Sequence, residues 1–433
     1  MKLTAKTLLL VTPFNPALLQ EDSCLSSFFY GNVRDGSVLN SVFIPTASCM
    51  GHFRSSLKTT ELSGAPAPGR QLVWIEEESV EDSLRAQSLF HESPLDEITR
   101  RIALTAQGQR FDYAAQTPVS ADTGSQSYDI HYRSSSGMLV SVDESTALTM
   151  DTLMPRFWKS AVLPPNPITH TPIPPAATQR VNHILLHLEF DPIVAQIVGN
   201  ISIPQAKKDV RFLTGEDGKS GIVSRHSFTT GAITAAHWLK DTVEETGAHC
   251  RLMPFRTGFA PNVIWLVKAI VLTSFAHASI DSRYDAIEDT NSTVIISGHY
   301  DSRGSFGSLR APGGDDDGSG TTGVLSIARA IGRKGVKFLN NVELAFFAGE
   351  EQGLLGSYAY ARASFVIPVP LLLIRLLGEL RAHDADIILM IQADMTAYRV
   401  PGEPLQLGLP AQCVHMADHA GTAHKIIELD HPK

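Results

Sequence analysis

The sequence predicts an α/β protein, with a largely parallel sheet covered on both faces by helices in the second half of its 433 residues. Three observations predict it. From about residue 229 onward, apolar β-branched runs alternate with segments of helical spacing. Those runs end abruptly in polar residues. Upstream, residues 162–178, "VLPPNPITHTPIPPAAT", hold six prolines and suit an extended linker between that half and a region of different texture.

Taken in chain order, residues 1–20, "MKLTAKTLLLVTPFNPALLQ", have the basic start and short apolar centre of a weak signal peptide, interrupted by Pro13 and Pro16. Residues 21–161 form an N-terminal region rich in Ser and Thr. Its alternating stretches, such as "YDIHYRSSSGMLVSVD" (128–143), predict strands, with no catalytic cluster among them. Beyond the linker, residues 179–410 carry the α/β pattern and 411–433 form a tail. The segment 229–247 predicts a helix with Ile233, Ala236, Leu239 and Val243 on its buried face and Gly247 as its stop. Strands are predicted in "STVIISGHYDS" (292–302), "VELAFFAGEE" (342–351) and "DIILMIQAD" (386–394), and a helix in "GTTGVLSIARAIGR" (320–333). Two apolar stretches, 262–275 and 365–377, are too short to cross a bilayer and contain Lys, Arg or Pro, so no transmembrane helix is expected.

Composition excludes some partners. The chain is 43% hydrophobic and 19% charged, with a formal net charge of −9. Its 36 basic residues are scattered rather than clustered, which argues against nucleic acid and against an anionic membrane surface. Cys24, Cys49, Cys250 and Cys413 lie far apart with no C-x-x-C pair, so neither a zinc finger nor a disulfide scaffold is indicated. Two N-x-[ST] sequons, at Asn200 and Asn291, would be glycan sites in a secretory protein.

In parallel α/β sheets, ligands bind beyond the carboxyl ends of the strands. Here each such end carries a candidate metal ligand: His299 and Asp301, then Glu350 and Glu351, then Asp394. Between the first two lies "APGGDDDGSG" (311–320), three aspartates in a glycine-rich turn before a helix. Singly, each has a plain explanation, since Asp caps helices, and strand-end His and paired Glu are commonly solvated. Their coincidence in one unit points to a metal. Two adjacent glutamates at a strand end call for a cation between them or a proton on one. Imidazole with carboxylates and no thiolate suits zinc, with cobalt or manganese as substitutes. A bridging carboxylate would make a two-metal site.

The run "VIISGHYDSRGS … APGGDDDGSGT … LAFFAGEEQGLLGS … IQADMTAY" closely resembles the zinc-dependent exopeptidases of metallopeptidase family twenty-eight, the leucyl aminopeptidase and aminopeptidase Y group, most of all its fungal members. The resemblance spans about residues 187–408. It implies the zinc-exopeptidase (phosphorylase/hydrolase-like) fold and two Zn2+ ions. His299 and Glu351 would hold the first ion, Asp394 the second, and Asp316 would bridge both. Glu350 would be the general base and Asp301 a supporting catalytic residue. The peptide bond after the bridging aspartate, Asp316–Asp317, is expected to be cis. The implied activity is removal of N-terminal residues from peptides, in a secreted or vacuolar protein.

The chain also departs from the family. A further histidine ligand is expected downstream of Asp394, and the context of His415, His419 and His424 does not match its motif, so none is assigned. Residues near 265–285 and 364–379 read as insertions, and the tail diverges. The competing expectation is therefore an impaired or noncatalytic relative acting as a binding domain. Carboxypeptidase and glutaminyl-cyclase chemistry also occur on this fold.

Overall fold

The computed structural model describes residues 8–20, 23–53, 61–78, 93–106, 110–112, 117–119, 128–155, 157–168, 170, 175–266, 290, 292–304, 308, 310–361, 386–397, 406–407 and 427–428. The chain divides into two compact units. One comprises residues 1–174, 305–308 and 402–433; the other comprises 175–304 and 309–401. The division falls inside the expected linker, and Pro175 begins a helix rather than continuing an extended stretch. The stretches expected as insertions lie almost wholly outside the described residues, as do His415, His419 and His424.

The first unit contains two four-stranded antiparallel sheets. One comprises β1 (Leu8–Pro13), β2 (Phe29–Asp35), β3 (Val38–Phe43) and β4 (Glu61–Gly64), in the order β2-β3-β1-β4. The other comprises β5 (Gln71–Glu77), β6 (Tyr128–Arg133), β7 (Gly137–Val142) and β8 (Trp158–Val162), in the order β8-β5-β7-β6. Successive side chains of a strand point to opposite faces. Leu9 and Val11 accordingly join Leu72, Trp74 and Leu139 in one apolar cluster. Leu10 instead packs with Phe43 and with Cys49 and Met50 of helix α1 (Ala47–Phe53). Val73 and Ile75 turn the other way, onto Leu95, Ile98 and Ile102 of α2 (Pro94–Ala106). The apolar run expected in a leader is thus the buried strand β1. Cys24 and Cys49 form a disulfide that their spacing does not indicate. The fold brings together two cysteines that sequence spacing leaves unrelated.

The second unit is built on a five-stranded sheet of β9 (His249–Met253), β10 (Asn262–Leu266), β11 (Ser292–His299), β12 (Asn341–Phe347) and β13 (Asp386–Gln392), in the order β9-β10-β12-β11-β13. β11 runs parallel to both β12 and β13, whereas the β9/β10 and β10/β12 pairings are antiparallel. Among the described strands the sheet is therefore mixed, with two parallel and two antiparallel pairings. The sequence pattern signals neither β9 nor the reversal at β10. The parallel half is the part that carries chemistry.

Helices cover both faces. Val342, Leu344 and Phe346 point to one side, where Leu213 of α3 (Ile203–Leu213), Leu239 and Val243 of α4 (Thr230–Glu244) and Val324, Leu325 and Ala328 of α5 (Gly318–Lys334) complete a core. Ala345 and Phe347 point to the other, against Tyr360 of α6 (Leu355–Ala361). α4 starts where Thr229 caps it, its side chain accepting from Ala232 N. Its buried face is Ala232, Ala235, Ala236, Leu239 and Val243; Ile233, expected on that face, is 39% exposed. The buried face is thus mostly small alanines. The helix ends at the cap Glu245, and the chain leaves through Gly247 with φ 88°. Among the described residues no helix is long and apolar enough to cross a membrane.

Candidate metal centre

Parallel pairing decides where the site falls. His299 pairs in register with Phe347, and Ser297 with Gln392, so the carboxyl ends of β11, β12 and β13 lie on one edge of the sheet. The side chains that follow those ends converge there. His299 Nε2 is 3.1 Å from Asp316 Oδ1 and 3.9 Å from Asp394 Oδ2. Donor atoms of His299, Asp316 and Asp394 all lie within 4.8 Å of one another.

Each member is held by its surroundings. The His299 backbone N–H donates to Asp317 Oδ2 at 3.1 Å, and its carbonyl accepts from Thr321 Oγ1 at 2.7 Å. On the far side of the ring, Nδ1 faces Asp301 Oδ1 at 3.4 Å, close but without hydrogen-bond alignment. Asp301 is fully buried. Its carboxylate accepts from Ser227 Oγ at 3.0 Å and from the backbone N–H groups of Glu350 and Glu351 at 3.3 and 3.4 Å. One carboxylate therefore holds the glutamate turn after β12 while facing the histidine that ends β11.

The aspartate triplet divides its work. Asp317 caps α5, its Oδ1 accepting from Gly320 N at 2.8 Å, so the ordinary capping explanation holds for that residue. Asp315 Oδ1 accepts from Ala397 N at 2.9 Å, anchoring the segment after β13. Asp316, between them, faces His299, and the Asp316–Asp317 peptide bond is cis. Close approach of α5 to β13 depends on Gly320, where an added Cβ would sit 2.2 Å from Ala393 O.

The electrostatics favour a cation. Burial opposes charging of His299, yet the carboxylates of Glu350, Asp301 and Asp316 outweigh it and hold the imidazole well above its usual pKa. Burial raises Asp394 with help from Asp316, and pushes Glu350 up to about 7 with help from Asp301, Asp316 and Asp394. The carboxylates that favour a charged imidazole at His299 would equally favour a divalent ion there, and imidazole with carboxylates is a donor set that fits zinc.

Glu351, expected beside His299, is engaged by Arg303. Its Oε2 accepts from Arg303 Nε at 2.8 Å and its Oε1 from the Arg303 backbone N–H at 3.1 Å. A second arginine was not anticipated from the sequence at all. Arg225, fully buried, donates through Nε to Tyr300 O at 2.7 Å and through its two terminal nitrogens to Leu213 O, Pro312 O and Gly313 O at 2.8, 2.6 and 2.8 Å. It clamps the loop carrying Asp316 to the segment after β11. Its only sequence signal is a lone cation between polar residues in "SRHSF".

The α/β sheet thus gathers a histidine–carboxylate donor set that could hold a metal ion at its parallel strand ends. Residues 283–426 match the model of Peptidase family M28. Among curated relatives, leucine aminopeptidase 1 of Metarhizium robertsii is 37% identical over 139 residues, 30% of this chain and 31% of that protein. Leucine aminopeptidase 1 of Ajellomyces dermatitidis is 30% identical over 173 residues, 35% of this chain and 40% of that protein. The match thus spans well under half of each relative's length. Among solved structures, the LapA aminopeptidase of Legionella pneumophila aligns at 15% identity with a TM-score of 0.41, covering 77% of this chain and 71% of that one.

Proposed function

We propose that this chain is a zinc-dependent exopeptidase, an aminopeptidase removing N-terminal residues from peptides. The observation that carries the reading is the convergence of His299, Asp316 and Asp394 within 4.8 Å, with Glu350 close enough for its charge to act on the histidine. His299, Asp316, Asp394 and Glu351 would hold the metal, with Asp316 shared if two ions bind. When bound, zinc supplies a Lewis acid that lowers the pKa of water and polarises a peptide carbonyl. Glu350 takes a proton from the attacking water and returns it to the leaving amine, a role suited to a carboxylate pushed up to about 7. Asp301 faces the His299 ring and accepts from the Glu350 backbone N–H, so its charge lies beside both. The surplus of carboxylate around the cluster favours a substrate's free ammonium end over an internal peptide segment. The Cys24–Cys49 disulfide supports an oxidising compartment, secreted or vacuolar.

The test uses aminoacyl anilides with free and with acetylated amino groups. Free-amine substrates are cleaved and acetylated ones are not; chelation stops turnover and zinc restores it. Glu350→Gln keeps bound zinc and loses about 10²–10⁴-fold in rate. Full activity in that variant overturns the mechanism, and absence of turnover in the zinc-loaded chain overturns the function.

A further inference from the structure

Arg303 occupies a position that bears directly on how many ions the site holds. It lies two residues beyond Asp301, and it engages both oxygens of Glu351, one through Nε at 2.8 Å and one through its backbone N–H at 3.1 Å. The two side chains are only 15% and 7% exposed, so the pair is shielded from water. Asp316 and Asp394, by contrast, remain 45% and 42% exposed where they face His299. The charges divide in the same way. Asp316 and Asp394 together balance one dication, while Glu351 already has a cation in Arg303.

We propose that Arg303 is an internal counter-ion for Glu351, so that the centre takes one divalent ion tightly at His299, Asp316 and Asp394, and a second only when the Arg303–Glu351 pair opens. This rests on the metal-site reading above. A second ion at Glu351 must displace a charge-assisted hydrogen bond from a shielded carboxylate, and such bonds are among the strongest a side chain makes. Arg303 is then a positioning residue that sets metal occupancy, acting through Glu351.

The experiment is calorimetric titration of Zn2+ into the metal-free 433-residue chain and into three variants. The wild type binds one equivalent tightly and a second more weakly. Arg303→Met leaves the first affinity unchanged and raises the second by about tenfold or more, the scale of one charge-assisted bond. Adding Glu351→Gln to Arg303→Met abolishes that gain, which assigns the second ion to Glu351. Arg303→Lys keeps the charge with a less fitted donor and raises the second affinity by a smaller factor; it is the variant read if Arg303→Met fails to fold. Two equivalents of equal affinity in the wild type, or an unchanged second affinity in the Arg303 variants, overturn the inference and leave the peptidase reading intact. Failure of the wild type to bind zinc overturns both.

Discussion

Replacing Arg225 with methionine keeps a long unbranched side chain in place and removes four hydrogen bonds at once. Two of the carbonyls that accept them, on Tyr300 and Leu213, belong to fully buried residues. Left unpaired, each costs about 1–3 kcal/mol. The other two, on Pro312 and Gly313, belong to residues nearer solvent, where water recovers part of the loss, leaving about 0.5–1 kcal/mol each. The sum is about 5 kcal/mol, comparable with the whole net stability of an ordinary domain. The charge is present under any neutral assay, since burial depresses the guanidinium pKa only to about 10. Hydrogen exchange read by mass spectrometry on peptides from 292–299 and 318–334 isolates the unit concerned. At about 1.4 kcal/mol per factor of ten, exchange there should accelerate roughly a thousandfold or more. Exchange within tenfold of the wild type in both segments would refute the claim that Arg225 clamps the aspartate loop.

Gly320→Ala places a methyl group 2.2 Å from Ala393 O, a backbone atom that cannot swing aside, so α5 must move away from β13. Zinc affinity should fall at least tenfold while the circular dichroism spectrum is preserved; unchanged affinity would show that the close approach is not needed. Replacing both Cys24 and Cys49 with alanine opens a loop with a sequence separation of 25, and chain entropy puts the loss at about 3.5 kcal/mol. It is measured by chemical unfolding followed at Trp74 and Trp158, and an unaltered midpoint would contradict it. Asp35 accepts from the hydroxyls of Tyr132, Ser134 and Ser136. Burial raises its pKa, but these donors outweigh burial and hold it below its ordinary value. Its contribution is therefore present in full above about pH 4 and fades as pH falls through the lower folded value. Asp35→Asn should cost about 1–2 kcal/mol at pH 7 and progressively less below pH 4; a gap that widens in acid would reverse the sign. Cys250, whose thiol burial pushes up to about 12 with help from Glu244, should resist alkylation at pH 8 in the folded chain, as peptide mapping would show.

Much of the donor set was legible because chemistry in an α/β sheet collects where apolar strands end, and His299, Glu350 and Asp394 each follow such a run. The triplet at 315–317 was legible only as a group. Which aspartate caps the helix and which faces the histidine depends on the turn that carries them. Glu351 shows the limit more sharply. Its adjacency to Glu350 suggested a ligand, but the residue that engages it is 48 positions away in the chain.

The sequence by itself determined the alternation of strands and helices, the strand ends that bear ligands and the acidic character of the site, because each follows from local periodicity and residue type. Only the tertiary structure decided that β10 runs antiparallel, that α4 buries its alanines and exposes Ile233, that Cys24 meets Cys49, and that Arg225 and Arg303 are drawn into the centre. The reason is physical. Backbone carbonyls, packing distances and charge partners are brought together by folding, and a lone arginine or cysteine carries no periodic signal of the neighbour it will find.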